Sequence, residues 1–278
     1  MNTCISFFII VALLAIFFAW QNNAIVVSNY EYKSEKIPEK FNGYRILHIS
    51  DFHNKNFHGR LTGKIIKINP HIVVITGDLI DRRKTNIETA TQFIKEIIDI
   101  APIYYVSGNH EQLSDSYNTL KEQLEKLNVR IVDNLYLTLN NGGDAIGLMG
   151  LADPASIKMK TNSSSGNSDY AVSILKNIFK DVNTDFNILL SHRPELFHVY
   201  KSMKIDLVFS GHAHGGQIRI PFLGGILSPN QGFFPKYAEG IIAEEQTSMV
   251  VSRGLGNSLF PFRIFNPPEA VVVELKKN

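Results

Sequence analysis

Five short runs of mainly apolar residues recur along this chain, at positions 45–50, 71–76, 103–107, 186–191 and 207–210. Such nearly unbroken runs are typical of strands that are buried on both faces of a sheet. Polar segments with helical or turn patterns separate them. The alternation predicts an α/β scaffold.

The segments between the runs predict helices and turns. Thr85 and Glu88 form a capping-box pattern, which predicts a helix that continues to about residue 100. The turn at 141–143, with the sequence Asn-Gly-Gly, predicts a hairpin. Further helices are predicted over residues 61–68, 117–127, 171–180 and 194–201, a Ser-rich surface loop over 158–168, and mainly β structure after residue 217.

The N-terminus has a different pattern, because residues 3–20 are apolar throughout and carry no charge. A hydrocarbon core is crossed by roughly 17 to 25 such residues, and Trp20 stands where an interfacial anchor is expected. A cleaved signal peptide is the alternative, but it would carry a basic start and a small-x-small cleavage site. We therefore expect a single-pass transmembrane anchor over 1–20, a connector over 21–40 and one folded domain over 41–278.

Composition narrows the kind of chemistry. The formal net charge of +2 is too small to favour nucleic acid as a partner. The single cysteine, Cys4, lies in the apolar N-terminus and excludes disulfide frameworks and thiolate metal sites within one chain. Any metal must therefore be held by His, Asp, Asn or water, and such ligands suit manganese, iron or zinc better than copper(I).

Metal-type side chains follow each of the five apolar runs. The carboxyl ends of strands form the ligand-binding edge of open α/β sheets. A pair of divalent cations about 3.5 to 4 Å apart can clamp the attacking and leaving oxygens of a phosphate ester, and a shared carboxylate would screen their repulsion. The pattern predicts a dinuclear metal site for phosphate-ester hydrolysis, built from Asp51, His53, Asp78, Asn109, His192, His212 and His214.

The blocks DFH, GDLID, GNHE, SHRP and GHAH, in this order, resemble the signature of the calcineurin-like metallophosphoesterases over about residues 45–220. The resemblance implies a two-sheet β-sandwich flanked by helices, with an active site for two divalent ions. One ion would be held by Asp51, His53, Asp78 and His214, and the other by Asp78, Asn109, His192 and His212. Asp78 would bridge the ions, and a metal-bound hydroxide would attack phosphorus in line.

Three further residues gain expected roles from the same resemblance. His110 resembles the family's catalytic histidine, and Asp81 resembles the aspartate that orients it. Arg82 resembles an arginine that contacts phosphate, although Arg83 could serve as well. The plainer alternative for Asp81 is a helix cap or a surface ion pair with Arg82.

The segments GHAHGG and FPFRIFNPPEAVVVEL resemble a membrane-anchored or exported bacterial branch, in which some relatives cleave the pyrophosphate of a nucleotide-linked acylated sugar. The apolar, Gly- and Pro-rich stretch 221–237 could receive a lipid chain, dip into the bilayer or simply cover the sheet. We expect a phosphomonoesterase or phosphodiesterase for a lipid-linked or nucleotide-linked substrate, in the cell membrane with the catalytic domain outside the cytoplasm. One alternative is a metal-dependent nuclease, which the small net charge disfavours because nucleic acid would then be the partner. The other is a non-catalytic metal-binding membrane protein.

Overall fold

Two six-stranded sheets packed face to face form the centre of the protein. The computed structural model describes residues 2–155, 166–257 and 260–278, so most of the predicted loop at 158–168 lies outside the described residues. The predicted α/β class with two packed sheets and flanking helices is confirmed.

The first sheet has the order β1-β16-β2-β3-β4-β5. Its strands are β1 Val26–Ser34, β2 Arg45–Ile49, β3 Ile72–Thr76, β4 Ile103–Val106, β5 Arg130–Ile131 and β16 Glu269–Lys277. Strands β2 to β5 run parallel, whereas β16 is antiparallel to β2 and parallel to β1. Residues 26–34 of the expected connector over 21–40 form β1 and therefore belong to this sheet.

The second sheet has the order β14-β15-β9-β8-β7-β6. Its strands are β6 Tyr136–Asn141, β7 Asp144–Leu151, β8 Asn187–Ser191, β9 Leu207–Ser210, β14 Gly240–Glu244 and β15 Thr247–Val251. The predicted hairpin is present as β6 and β7, and both Gly142 and Gly143 have the positive φ that a two-residue turn of this kind requires. Two small hairpins occur in the chain between β9 and β14. One pairs β10 Arg219–Ile220 with β11 Gly224–Gly225, and the other pairs β12 Leu227–Ser228 with β13 Gly232–Phe233.

The helices are α1 Asn2–Asn23, α2 Arg60–Ile68, α3 Ile87–Ile97, α4 Asn109–Gln112, α5 Tyr117–Lys126, α6 Gly166–Ile178 and α7 Phe197–Ser202. Of these, α2, α3 and α5 cover the outer face of the first sheet, and α6 and α7 cover that of the second. The predicted cap of α3 is wrong by one residue, because Asn86 rather than Thr85 precedes the helix and its Oδ1 accepts the Thr89 amide at 2.9 Å.

Successive residues of the central strands face two different cores, which explains the unbroken apolar runs. Ile46 and Val74 point between the sheets, where they pack with Leu190 and other residues of the second sheet. Leu47 and Val73 point the other way, into the core shared with α2, α3 and α5. A third core lies between the second sheet and helices α6 and α7. The arrangement is a four-layer α/β/β/α sandwich.

Helix α1 stands apart from these layers. Residues Cys4–Asn23 are long and apolar enough to cross a membrane, and only 6% of the span's most hydropathic window is buried against the protein. Its polar last turn, in contrast, contains Gln21 and Asn22, which are 3% and 9% exposed. The helix is therefore apolar and bare along most of its length but docked to the domain at its end.

Candidate metal centre and active site

The structure brings all seven predicted metal ligands to one edge of the sandwich, where strands of both sheets end. Asp51 and His53 follow β2, Asp78 follows β3, Asn109 follows β4, His192 follows β8, and His212 and His214 follow β9. Six of these side chains are buried, and Asn109 is partly exposed. Because the ligands come from two sheets, the centre forms only when both sheets pack together.

The first cluster consists of Asp51, His53, Asp78 and His214, whose ligand atoms all lie within 4.8 Å of one another. His53 Nε2 is 3.3 Å from His214 Nε2 and 3.6 Å from Asp78 Oδ2. His214 Nε2 is 3.3 Å from Asp51 Oδ1. These atoms converge at distances that leave room for one cation among them.

The second cluster consists of Asp78, His192 and His212, again within 4.8 Å. His192 Nε2 is 3.2 Å from Asp78 Oδ2, from His212 Nδ1 and from Asn109 Oδ1. Asp78 thus belongs to both clusters, in the position that a bridging carboxylate requires.

The backbone of the ligand loops is unusual. Asp51, His53, Asp78, His212 and His214 all have φ between 47° and 63°, in the left-handed region that non-glycine residues rarely adopt. Such conformations cost roughly 1 to 3 kcal/mol each and persist only where the surrounding structure enforces them. The fold therefore spends stability to aim these side chains inward, as is common at functional sites.

Close backbone approach accounts for Gly108, which follows β4 and lies against the Asp78 loop. A Cβ at Gly108 would lie 2.3 Å from Asp78 Oδ1. Any side chain here would push the shared carboxylate out of position.

Glu111 connects the loops after β3 and β4, a role that the sequence analysis did not predict. Its carboxylate is fully buried and accepts three backbone hydrogen bonds, from Asp78 at 2.8 Å, Gly108 at 2.8 Å and Ile80 at 3.0 Å. Glu111 is the last letter of the GNHE block, but no local pattern distinguishes a buried carboxylate of this kind from a helix-surface one.

The charges of the centre are arranged for cations. Burial disfavours the His192 imidazolium, but the carboxylates of Asp78 and Asp51 outweigh burial and raise the pKa of His192 to about 10. Burial lowers the pKa values of His53, to about 3, and of His212 and His214, so these rings are neutral. Neutral imidazole is the form that binds a metal.

A hydrogen bond from its other ring nitrogen orients His192. Its Nδ1 lies 2.6 Å from the carbonyl oxygen of Thr76 and donates to it, which leaves Nε2 to face Asp78 and Asn109. A histidine ligand oriented by a carbonyl through its other nitrogen is the usual arrangement at metal sites. Imidazole, carboxylate and amide donors converging around a shared carboxylate therefore fit two divalent cations of the borderline or hard class.

His110 lies beside the first cluster, with its ring centroid 4.5 Å from that of His53. Its Nδ1 accepts the Arg82 backbone amide at 3.1 Å and is 3.5 Å from Asp81 Oδ1. Asp81 is instead held by Arg83, whose guanidinium donates to it at 2.6 and 3.0 Å. The expected Asp81–His110 pair is thus close, but the strong contact of Asp81 is with Arg83, and the Arg82 amide fixes the His110 ring.

The two candidate arginines are separated by this arrangement. Arg83 is committed to Asp81, whereas Arg82 is exposed and has no ion pair among the residues that the structure describes. Of the two side chains, Arg82 is therefore the one without a charged partner in the part of the chain that the structure describes.

Comparison with known proteins places the chain in a family. The model of the calcineurin-like phosphoesterases matches residues 44–216. An uncharacterized metallophosphoesterase of Bacillus subtilis, YkuE, is 30% identical, over 91% of this chain and 86% of its own. A UDP-2,3-diacylglucosamine pyrophosphatase of Chlamydia muridarum, LpxG, is 28% identical, over 86% of each.

A solved structure has a similar fold. The structure of the Thermus thermophilus protein TT1561 superposes with a TM-score of 0.51 at 14% identity, over 77% of this chain and 91% of that one. Sequence blocks, sheet topology and the clustered ligands agree. The chain belongs to the calcineurin-like phosphoesterases, a family of metal-dependent hydrolases that act on phosphoester bonds with a dinuclear centre.

Proposed function

We propose that this protein is a membrane-anchored phosphoesterase that cleaves a phosphomonoester or phosphodiester of a lipid-linked or nucleotide-linked substrate at the centre described above. The observation that carries the proposal is the position of Asp78, whose Oδ2 is 3.6 Å from His53 Nε2 and 3.2 Å from His192 Nε2. One carboxylate thereby joins two ligand clusters into a single centre.

Two divalent ions, when bound, supply the positive charge that polarises a phosphoryl oxygen and activates water near neutral pH. Manganese, iron and zinc suit the ligands. The metal ligands in this proposal are Asp51, His53, Asp78 and His214 for one ion and Asp78, Asn109, His192 and His212 for the other.

The remaining residues act on the substrate. In the neutral ring, Nδ1 of His110 accepts the Arg82 amide and the proton is on Nε2. The general acid is the imidazolium, which carries protons on both nitrogens; its Nε2–H would protonate the leaving oxygen and return the ring to the neutral form. Asp81 lies 3.5 Å from the same ring and stabilises its protonated form. The exposed Arg82 side chain contacts the substrate phosphate.

Two features support a lipid-linked substrate and a membrane location. Helix α1 contains a 20-residue span, Cys4–Asn23, that is long and apolar enough to cross a membrane, and the similar Chlamydia enzyme is a UDP-2,3-diacylglucosamine pyrophosphatase. In this proposal residues 1–20 are the anchor, 21–40 connect it through β1, and 41–278 form the catalytic domain. Placement of that domain outside the cytoplasm rests on the resemblance to exported members, and protease accessibility in intact spheroplasts tests it.

The test of activity uses the full chain in detergent micelles with Mn²⁺, Fe²⁺ or Zn²⁺. We expect hydrolysis of p-nitrophenyl phosphate or its bis ester, abolished by a chelator and in Asp78→Ala. A matched Asp99→Ala variant should retain activity, because Asp99 precedes β4 and the predicted ligands follow the strands. Degradation of DNA or RNA without hydrolysis of the p-nitrophenyl esters would favour the nuclease. A protein that binds two metals but hydrolyses none of these substrates would favour the non-catalytic alternative.

A further inference from the structure

An uncharged apolar surface lies beside the docked end of α1. It is formed by two segments, 219–234 and 260–265, which we call the collar. Its exposed side chains are Phe222, Leu223, Phe233, Phe234, Phe260, Phe262 and Phe265, which are between 40% and fully exposed. Aromatic side chains so exposed and so concentrated mark an interaction surface rather than the ordinary scatter of surface apolar residues.

The collar presents no charge to its surroundings. Neither segment contains Asp or Glu, and each contains a single arginine. Arg219 is paired with Glu239, and the buried Arg263 donates its guanidinium hydrogens to the carbonyl oxygens of Gly256, Arg253 and Asn266. The surface that remains is apolar, as a lipid-facing surface must be.

The collar is continuous with α1. The rings of Phe17 and Phe265 lie 5.6 Å apart, and those of Phe18 and Phe262 lie 5.1 Å apart. Phe222 and Leu223 border the same groove as Phe265, and the Arg219 amide donates to the Ile264 carbonyl at 3.0 Å. One apolar surface therefore runs from the helix onto both segments.

The depth of this contact follows from helix geometry. A helix rises about 1.5 Å per residue, so Phe17 lies roughly 9 Å below Asn23 along the axis. The 20 residues from Cys4 to Asn23 match a hydrocarbon core of about 30 Å. Rings packed on Phe17 and Phe18 consequently lie at the level of the acyl chains or the headgroup boundary when α1 spans a bilayer.

Polar contacts fix the angle between the helix and the domain. Asn22 Oδ1 accepts the Arg263 amide at 3.1 Å and the Asn257 Nδ2 at 3.0 Å. Gln21 Oε1 accepts the Asn266 amide at 3.2 Å. Three hydrogen bonds to two buried side chains mean that α1 is not a flexible tether, so the collar cannot swing away from the membrane plane.

Asn266, which directly follows the collar segment 260–265, contacts the loop of the metal centre. Asn266 Nδ2 donates to the His214 carbonyl at 2.7 Å and to the Gln217 carbonyl at 3.0 Å. A single asparagine thus joins the end of α1 to the loop that carries a predicted metal ligand.

We propose that the collar is seated in the same leaflet of the phospholipid bilayer as the end of α1, and that it holds the metal centre next to the membrane surface. The proposal rests on the anchoring role given to α1 above. It identifies the bilayer itself as the place from which substrate reaches the centre, so the ester cleaved belongs to an amphiphile that resides in the membrane.

Site-directed probes test this placement in the full chain. In a Cys4→Ser background, single Phe222→Cys and Phe234→Cys variants are labelled with nitrobenzoxadiazole and reconstituted in phosphatidylcholine nanodiscs with doxyl-labelled lipid. Ile66→Cys and Leu135→Cys are matched controls, because these side chains are 59% and 54% exposed and lie outside the collar. We expect blue-shifted emission and at least twofold stronger lipid quenching at the collar positions than at the controls.

A Val11→Cys variant separates the possible failures. Quenching at Val11 but not at Phe222 and Phe234 would overturn the collar and leave the anchor intact. No quenching at Val11 would remove the anchor and the collar together. A blue shift at the collar without quenching would mean that protein, such as a second copy of the chain, covers the surface, which also overturns the proposal. Hydrolysis of bis-p-nitrophenyl phosphate by the same samples reports on the catalytic centre separately.

Discussion

The carboxylate of Glu111 accepts the backbone amide of Asp78 at 2.8 Å, although Glu111 itself lies outside both ligand clusters. The same carboxylate accepts the amides of Gly108 and Ile80, so one buried side chain fixes the loops after β3 and β4. The relative position of Asp78 and Asn109 therefore depends on a residue that is not among the predicted ligands.

Glu111→Gln should weaken metal binding. The amide presents an NH₂ donor in place of one acceptor oxygen, so at least one backbone N–H loses its partner, and a lost supporting contact at a metal site typically costs 10- to 100-fold in affinity. Competition with a fluorescent zinc chelator measures the dissociation constant. The exposed Glu122→Gln is the matched control, and equal affinity in the two variants would contradict the role of Glu111.

His110→Asn should retain both metals but slow turnover by roughly 10² to 10⁴, the range for a lost general acid. A general acid matters most for a poor leaving group, so the loss should be larger for phenyl phosphate than for p-nitrophenyl phosphate. Metal analysis and kcat on the two esters check this, with the exposed His58→Asn as control. An equal loss on both esters would indicate that His110 stabilises charge on phosphate and does not protonate the leaving oxygen.

Arg82→Ala should weaken phosphate binding more than Arg83→Ala. Arg82 has no ion pair within the described ranges, and a charged hydrogen bond contributes about 1.5 to 3 kcal/mol, or roughly 10- to 100-fold. Arg83 is held by Asp81 at 2.6 Å and is not free to reach an anion. The inhibition constant of inorganic phosphate distinguishes them, and a larger effect of Arg83→Ala would reverse the assignment.

The sequence was sufficient for the parts of the fold that depend on local pattern. The strand predicted at 207–210 has the observed bounds, and that at 103–107 ends one residue early, because buried apolar runs bounded by Ser and Gly leave little freedom in placing a strand. Parallel strands bring the residues at their carboxyl ends to one edge of the sheet, so the sequence alone predicts that the ligands lie close together.

Pairing between strands that are distant in the sequence could not be predicted from local pattern. Strand β1 lies beside β16, and Val26 is paired with Glu269, more than 240 residues away. No local pattern carries this register. The partner of Asp81 was missed for a similar reason, since both arginines follow it directly and only side-chain geometry shows that Arg83 makes the pair. Asn22 and Gln21 looked like the start of a polar connector, whereas their side chains are buried against Arg263 and Asn266.

His48 should make the protein less stable in acid. It is fully buried between the sheets, with Nε2 2.7 Å from Thr76 Oγ1 and its ring against Phe209, and burial lowers its pKa to about 3. The unfolded chain binds a proton near pH 6.5 that the folded chain refuses until about pH 3. Stability from the neutral ring is therefore complete above pH 6.5 and is lost as the pH falls below it, by about 1.4 kcal/mol per pH unit.

Between pH 6.5 and 5 this amounts to about 2 kcal/mol. Urea unfolding of the chelated full chain in detergent micelles at both pH values measures it. His48→Gln can keep a hydrogen bond to Thr76 but does not titrate, so it should lose about 2 kcal/mol less than the wild type over this range. The metal-site histidines titrate in both proteins and cancel in the difference. The exposed His58→Gln should keep the wild-type slope, and parallel curves for His48→Gln and the wild type would show that His48 does not govern the acid sensitivity.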